Sequence, residues 1–80
     1  MKKQKTGIIY QIHGSVVDVR FNKENMPRLL DACITLNQGK ELILEVEQLL
    51  PDNIVRCLAM ADTDGLKRGQ EVINTEKPIQ

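Results

Sequence analysis

The sequence predicts an all-β domain, closed into a small six-stranded antiparallel barrel. Turn-forming residues recur at short and regular intervals, which is typical of small all-β domains; they lie at His13-Gly14, Asn25 to Pro27, Asn37 to Gly39, Pro51 to Asn53 and Asp64-Gly65. Between the turns, apolar residues alternate with polar ones, as in a strand with one buried face. Closing the sheet removes the unpaired edges that six short strands would otherwise expose.

The alternation sets both the strands and their predicted faces. The strands cover about residues 6–12, 15–21, 29–37, 41–49, 54–60 and 70–74. In the first strand, Ile8, Tyr10 and Ile12 share a face, and in the second, Val17, Val19 and Phe21 do so opposite Asp18 and Arg20. The third strand groups Leu30, Ala32, Ile34 and Leu36, and the fifth groups Val55, Cys57 and Ala59. This pattern places Cys33 and Cys57 on opposite sides of the barrel wall, which argues against a disulfide between them.

One segment fits two structures. Lys40 to Leu50 is rich in Leu and Glu, and four of its residues (Leu42, Val46, Leu49 and Leu50) also satisfy a helical spacing. Against the helix, Leu42, Leu44 and Val46 alternate with other residues between two turn signals. We predict a strand here, because the rest of the chain is all-β.

The composition limits what the domain can do. A chain of 80 residues forms one domain, and with Tyr10 and Phe21 as the only aromatic residues its core must be aliphatic. The interior of so small a barrel is filled by its own side chains, so any function lies on the outside. Eleven basic residues balance eleven acidic ones, which disfavours a polyanionic partner such as nucleic acid.

A lysine cluster (Lys2, Lys3 and Lys5) lies in a segment, residues 1–6, that we interpret as a solvated flexible leader rather than a nucleic-acid or membrane-binding arm.

Metal and export signals are lacking in the sequence. Cys33 and Cys57 have no zinc-ligand spacing, and His13 is the only histidine, so we expect no metal site and two reduced thiols. His13 is interpreted as a turn residue, because no third catalytic group stands near it and Ser15. We see no signal peptide and no run of about 18 apolar residues.

The sequence also contains no convincing phosphate-binding motif. A P-loop needs the pattern G-x-x-x-x-G-K-[ST], but around Gly39-Lys40 the first glycine is replaced by Ile34 and the hydroxyl residue by Glu41. Gly39 is therefore interpreted as a hairpin turn. The segment from Gly65 to Gly69 carries Lys67 and Arg68 and resembles an anion nest, but acidic residues just before it make a structural loop the preferred interpretation, with Gly65 at a positive φ. Glu45 and Glu47 share a strand face and are interpreted as solvated charges rather than a catalytic pair.

A series of short motifs occurs in a fixed order along nearly the whole chain, from about Gly7 to Ile79. They are Gly7-Ile8-Ile9, Ile12, Gly14 to Phe21, Pro27-Arg28, Asp31-Ala32, Leu44-Glu45-Val46, Val55-Arg56, Ala59-Met60, Thr63 to Leu66, Arg68-Gly69 and Pro78-Ile79. In this order they resemble the opening of the F-type ATP synthase beta subunit. The related alpha subunit lacks the run from Val16 to Phe21 together with the loop from Asp64 to Gly69. Pro51 and Glu76 depart from the pattern, since the family commonly has glycine at both places.

This resemblance implies the six-stranded crown barrel of the beta subunit, at residues 7–80, packed beside alpha-subunit barrels and without direct membrane contact. The family's phosphate-binding loop and catalytic glutamate lie downstream, so we expect no catalytic, nucleotide-binding or metal residue here, and no cofactor in this chain. Mg-ATP or ADP is implied for the full-length subunit, which belongs to the peripheral sector on the cytoplasmic face of the membrane and couples ATP synthesis or hydrolysis to proton or sodium transport. Candidate interface residues are Asp18, Arg20, Glu45, Arg56 and Arg68, and the alternative for each is an ordinary solvated charge or one that braces the domain's own turns. Alone, we expect the barrel to be monomeric or weakly associating.

A second hypothesis is a free-standing barrel that binds nucleic acid or a peptide, as oligonucleotide-binding barrels do. Such a protein needs aromatic platforms and a basic groove. One Tyr, one Phe and zero net charge disfavour it.

Overall fold

The computed structural model describes residues 4–79 and shows a closed six-stranded antiparallel barrel, which confirms the predicted fold class. The strands follow the order β1-β2-β5-β4-β3-β6 around the wall, and one 3-10 turn, Lys23–Asn25, links β2 to β3. The strand bounds are β1 Lys5–His13, β2 Val16–Phe21, β3 Asp31–Asn37, β4 Lys40–Leu50, β5 Ile54–Ala59 and β6 Glu71–Pro78.

The ambiguous segment is a strand, as predicted. β4 is 11 residues long and pairs with β3 on one side and β5 on the other. Helical propensity is overridden, because Leu42, Leu44 and Val46 all reach the interior only when the backbone is extended.

Two tight turns agree with their predicted residues. Gln38 and Gly39 have φ angles of 54° and 79° between the paired residues Asn37 and Lys40, which is the two-residue hairpin geometry that needs positive φ at both central positions. Gly65 has a φ of 99°, as predicted for the loop before β6.

The barrel interior is filled by aliphatic side chains around Phe21. The buried core residues are Ile9, Val17, Val19, Phe21, Cys33, Leu42, Leu44, Val46, Val55, Cys57, Ala59 and Val72. Gly7 lets β1 approach this core closely, because a Cβ there would lie 2.6 Å from both the Arg20 carbonyl oxygen and Phe21 Cδ1. The faces predicted for β2 and β5 are confirmed by this burial.

The predicted facing of β3 is wrong. Cys33 and Thr35 point into the barrel, whereas Leu36 is 59% exposed, so Cys33 and Cys57 lie on the same side of the wall and not on opposite sides. Both cysteines are free and buried, and the neighbouring Cys33 together with burial raises the pKa of the Cys57 thiol. Thr35 can be buried because its hydroxyl donates to the Glu71 carbonyl at 2.7 Å and accepts from Gln70 Nε2 at 2.7 Å.

Irregular pairing explains a difference in β1. The ladder between β1 and β2 shifts register between Ile9 and Gln11. This shift separates Ile8, which is 54% exposed, from Ile12, which packs against the core, although alternation predicted one shared face.

The chain ends differ from expectation at two places. β1 begins at Lys5, so Lys5, expected in the leader, pairs instead with Asn74 of β6, while Thr6 pairs with Ile73 as part of the strand predicted from about residue 6. Lys2 and Lys3 lie outside the described residues. Glu76 lies within β6 with a φ of 65°, in the region that favours glycine, the residue that the resemblance leads us to expect there.

Candidate interface on the barrel wall

The outer wall is where functional side chains must lie, because the interior is filled by the core. Among residues 4–79, no three His, Cys, Asp or Glu side chains gather in a way that could hold a metal ion. No helix in that part of the chain has the length and apolar character to cross a bilayer. The five candidate interface residues fall into three places on this wall.

Asp18 and Arg56 are brought together with Gln11, and we call these three residues the polar row. Cross-strand register sets Gln11 opposite Asp18, and Asp18 opposite Arg56. Arg56 donates from Nε to Asp18 Oδ1 at 3.0 Å and from its second guanidinium nitrogen to Oδ2 at 3.1 Å, while Gln11 Nε2 donates to Oδ2 at 2.8 Å. The Asp18 side chain is thus buried by its own domain, at 3% exposure, under a guanidinium that is 41% exposed.

The electrostatics of the polar row favour the ion pair. Burial by itself would raise the pKa of Asp18, but the hydrogen bonds from Arg56 and Gln11 and the charge of Arg56 outweigh it, so this pKa lies below its ordinary value. The same pairing raises the pKa of Arg56. A bidentate pair fixes both side chains, and the row therefore braces β1, β2 and β5 against one another.

Arg20 and Arg68 meet around Tyr10. The Arg20 guanidinium lies over the Tyr10 ring, 4.8 Å from its centre, and Arg68 Nε donates to the Tyr10 carbonyl at 3.0 Å. Tyr10 and Ile8 beside it are exposed, at 39% and 54%. This corner of the wall is apolar and aromatic, and it is flanked by two cations.

Glu45 occupies the opposite part of the wall, on β4. It lies between Ala32 of β3 and Leu58 of β5, and its carboxyl group is a close neighbour of that of Glu47. This contact raises the pKa of Glu47. The two carboxyl groups are close enough to repel when both are ionised, which favours a cation beside them.

The loop from Asp62 to Gly69 is a structural clamp at one end of the barrel. Asn37 Nδ2 donates to the Asp62 carbonyl at 2.9 Å, Thr63 Oγ1 donates to the Gly14 carbonyl at 2.7 Å, and the Gly69 amide donates to the Ile9 carbonyl at 2.8 Å. Its backbone groups are engaged with the barrel, so the interpretation as a structural loop fits better than an anion nest.

The sequence reasoning missed an apolar band on the wall, which we call the apolar belt: Ile73, Ile34, Ile43 and Met60. Ile34 pairs with Ile73 on one side and with Ile43 on the other, and the Met60 amide donates to the Ile43 carbonyl at 2.9 Å. One signal was available, because Ile43 stands between two leucines of β4 and makes both faces of that strand apolar.

The sequence matches a known family over most of its length. The model described as "ATP synthase alpha/beta family, beta-barrel domain" covers residues 9–76. The chain belongs to this family. The barrel is thus a non-catalytic domain of ATP synthase alpha or beta subunits, which act within a multi-subunit assembly.

Proposed function

We propose that this domain is the N-terminal crown barrel of the beta subunit of a rotary F-type ATP synthase, at residues 7–80. It packs beside alpha-subunit barrels and so helps to hold the catalytic ring together. Two features of this family barrel carry the proposal: its interior is filled by its own side chains, and large apolar side chains are exposed on its outside. Assignment to beta rests on the run from Val16 to Phe21 and the loop from Asp64 to Gly69.

The role proposed for the chain is mechanical. No catalytic, nucleotide-binding or metal residue is assigned to it. In the full-length subunit, Mg-ATP or ADP would bind outside this barrel, and the subunit would couple ATP synthesis or hydrolysis to proton or sodium transport on the cytoplasmic face of the membrane. Of the charged residues singled out from the sequence, Asp18 and Arg56 brace the domain itself, and Arg20, Glu45 and Arg68 remain the candidates for contacts between barrels.

Sedimentation velocity with the purified alpha subunit of the same organism tests this function. We expect the chain to be monomeric or weakly self-associating alone and to comigrate with alpha. The beta subunit of that organism is the control partner, and binding to it should be weaker. Comigration with beta but not with alpha would contradict the assignment.

The nucleic-acid hypothesis is tested by the same preparation. Its one supporting observation is the exposed Tyr10 ring with Arg20 over it, the kind of platform on which a base stacks. One platform without a net positive charge is a weak site. Salt-dependent binding of single-stranded DNA or RNA, without binding of alpha, would favour this hypothesis over assembly.

A further inference from the structure

The apolar belt crosses the strands rather than following one of them. Its four residues lie side by side on β6, β3, β4 and the end of β5, since each contacts the next through strand pairing or a backbone hydrogen bond. Single exposed apolar residues are ordinary on protein surfaces, but a contiguous band with polar edges marks an interaction site.

Two shallow hollows flank the belt and share Ile34, Ile73 and Glu41. One, of about 330 Å³, also includes Leu36 and Glu71. The other, of about 380 Å³, also includes Lys5 and Thr75. A partner side chain seated in either hollow would cover the isoleucines from the side.

Three carboxylates edge the belt. On β4, Glu41 lies two residues before Ile43 and Glu45 lies two residues after it, so the three share a face. On β6, Glu71 lies two residues before Ile73. Within residues 4–79, none of these three carboxylates forms an ion pair, whereas Asp18, Asp31 and Glu76 each do. Glu41 and Glu71 are exposed and Glu45 is half-buried, and acids that form no ion pair within the described residues are complementary to a basic partner.

We infer that the apolar belt is the docking surface for a partner-subunit barrel whose apolar centre is edged by arginine or lysine. The inference rests on the proposed function and specifies which part of the wall meets the partner. A strand-forming peptide is a poorer occupant, because the closed barrel has no free edge to extend. The same fold can present the required surface, since Ile8 and Tyr10 of this chain are flanked by Arg20 and Arg68.

The size of the wall is compatible with such a contact. A stable interface covers about 800 Å² on each partner. The described barrel exposes 5513 Å² and measures 29 × 29 × 25 Å, so one side of it provides that area. The belt would form the dry centre and the carboxylates the polar edge.

Calorimetric titration of the chain with the purified alpha subunit tests the inference. The belt variant is the double substitution Ile34→Thr and Ile43→Thr, in which the β-branched residues preserve the strands. We expect at least a tenfold weaker Kd. The matched control is Leu49→Thr, an exposed leucine on the same strand β4 but outside the belt, which should stay within about twofold of wild type.

Charge reversal provides a second arm. Glu41→Lys with Glu71→Lys should weaken binding about tenfold at 50 mM NaCl, with the difference shrinking at 0.5 M because salt screens exposed charges. Glu24→Lys, on the exposed 3-10 turn, is the control. Circular dichroism confirms that each variant is folded.

The outcomes separate the two proposals. Wild-type binding that both belt variants leave unchanged would overturn the belt as the docking surface while the assembly function stands. Absence of wild-type binding to alpha would overturn both. If the belt variants abolish self-association and leave alpha binding intact, the occupant is a second copy and the inferred partner is wrong.

Discussion

The polar row and the apolar belt lie on opposite parts of one barrel wall. They differ in how far their side chains are covered and bonded by the rest of the domain. In the polar row, Asp18 receives three hydrogen bonds from Gln11 and Arg56 within its own domain. In the belt, Ile34, Ile43 and Ile73 pair with one another, and their outward surface is only partly covered: Ile43 is 37% exposed, and Ile34 and Ile73 are half-buried. A charged residue on a barrel wall can therefore serve the fold, while an apolar one can serve assembly.

This difference reverses the usual expectation about the two residue types. Charges on a surface generally contribute little to stability, yet a carboxylate buried beneath a guanidinium costs a good deal when its partner is removed. An apolar side chain on the wall contributes little to the isolated fold, because water still reaches it. We therefore expect substitutions in the row to change folding and substitutions in the belt to change association.

The largest effect is expected at Gly7, on β1, the strand that also carries Gln11 of the polar row. Gly7→Ala forces a Cβ against the Arg20 carbonyl and the Phe21 ring, and overpacking of this kind should lower the free energy of unfolding by about 2–3 kcal/mol. Urea denaturation measures it. Gly14→Ala is the control, because the space there is open and only its positive φ of 58° opposes a side chain, at about 1 kcal/mol. Equal losses for the two variants would show that β1 does not pack as described.

Asp18→Ala should have the next largest effect. It leaves the Gln11 amide and the Arg56 guanidinium without their acceptor, and we expect a loss of about 2 kcal/mol in urea denaturation. Glu24→Ala, on an exposed turn, is the control. A double-mutant cycle with Arg56→Ala should show coupling between the two residues, and additive losses would mean that the row is not a unit.

The free energy of unfolding should depend on pH through the same carboxylate, Asp18. The folded-state pKa of Asp18 lies below the ordinary value near 3.9, so its contribution is fully present above that pH and is lost as pH falls through the folded-state pKa. The stability difference between wild type and Asp18→Asn should thus be largest near pH 6 and shrink as the pH falls below 4. A difference that grew on acidification would reverse the sign we assign.

The smallest effect on stability is expected in the belt. Ile43→Thr keeps a β-branched side chain on β4 at a position that is 37% exposed, so thermal unfolding should show a loss of less than about 1 kcal/mol. Leu44→Thr, the fully buried neighbour, should be far more destabilised. Similar losses for the two would show that Ile43 faces the interior.

The sequence predicts part of this architecture because turn chemistry and two-residue alternation are local. The hairpin at Gln38-Gly39, the filled faces of β2 and β5 and the strand at Lys40–Leu50 follow from neighbouring residues. The facing of β3 does not follow, because Ile34 and Leu36 are more apolar than Cys33 and Thr35 but point outward. Only a partner for the Thr35 hydroxyl, supplied by β6 and the residue before it, makes that arrangement stable.

Individual candidate residues could be chosen from the sequence, but the way in which they come together could not. Asp18 and Arg56 were both singled out from the sequence, yet their pairing depends on register between β2 and β5, strands separated by two others along the chain. The belt depends in the same way on the register of β3 with both β4 and β6. Long-range register is not encoded in local periodicity.

The most direct test of the central claim compares two variants in two measurements: Asp18→Asn and Ile34→Thr with Ile43→Thr, each examined by urea denaturation and by calorimetric titration with the alpha subunit. We predict that Asp18→Asn lowers the free energy of unfolding more but binds alpha within about twofold of wild type, while the belt variant shows the larger loss of binding, at least tenfold. The reverse pattern, with binding lost in the row variant and retained in the belt variant, would contradict the account.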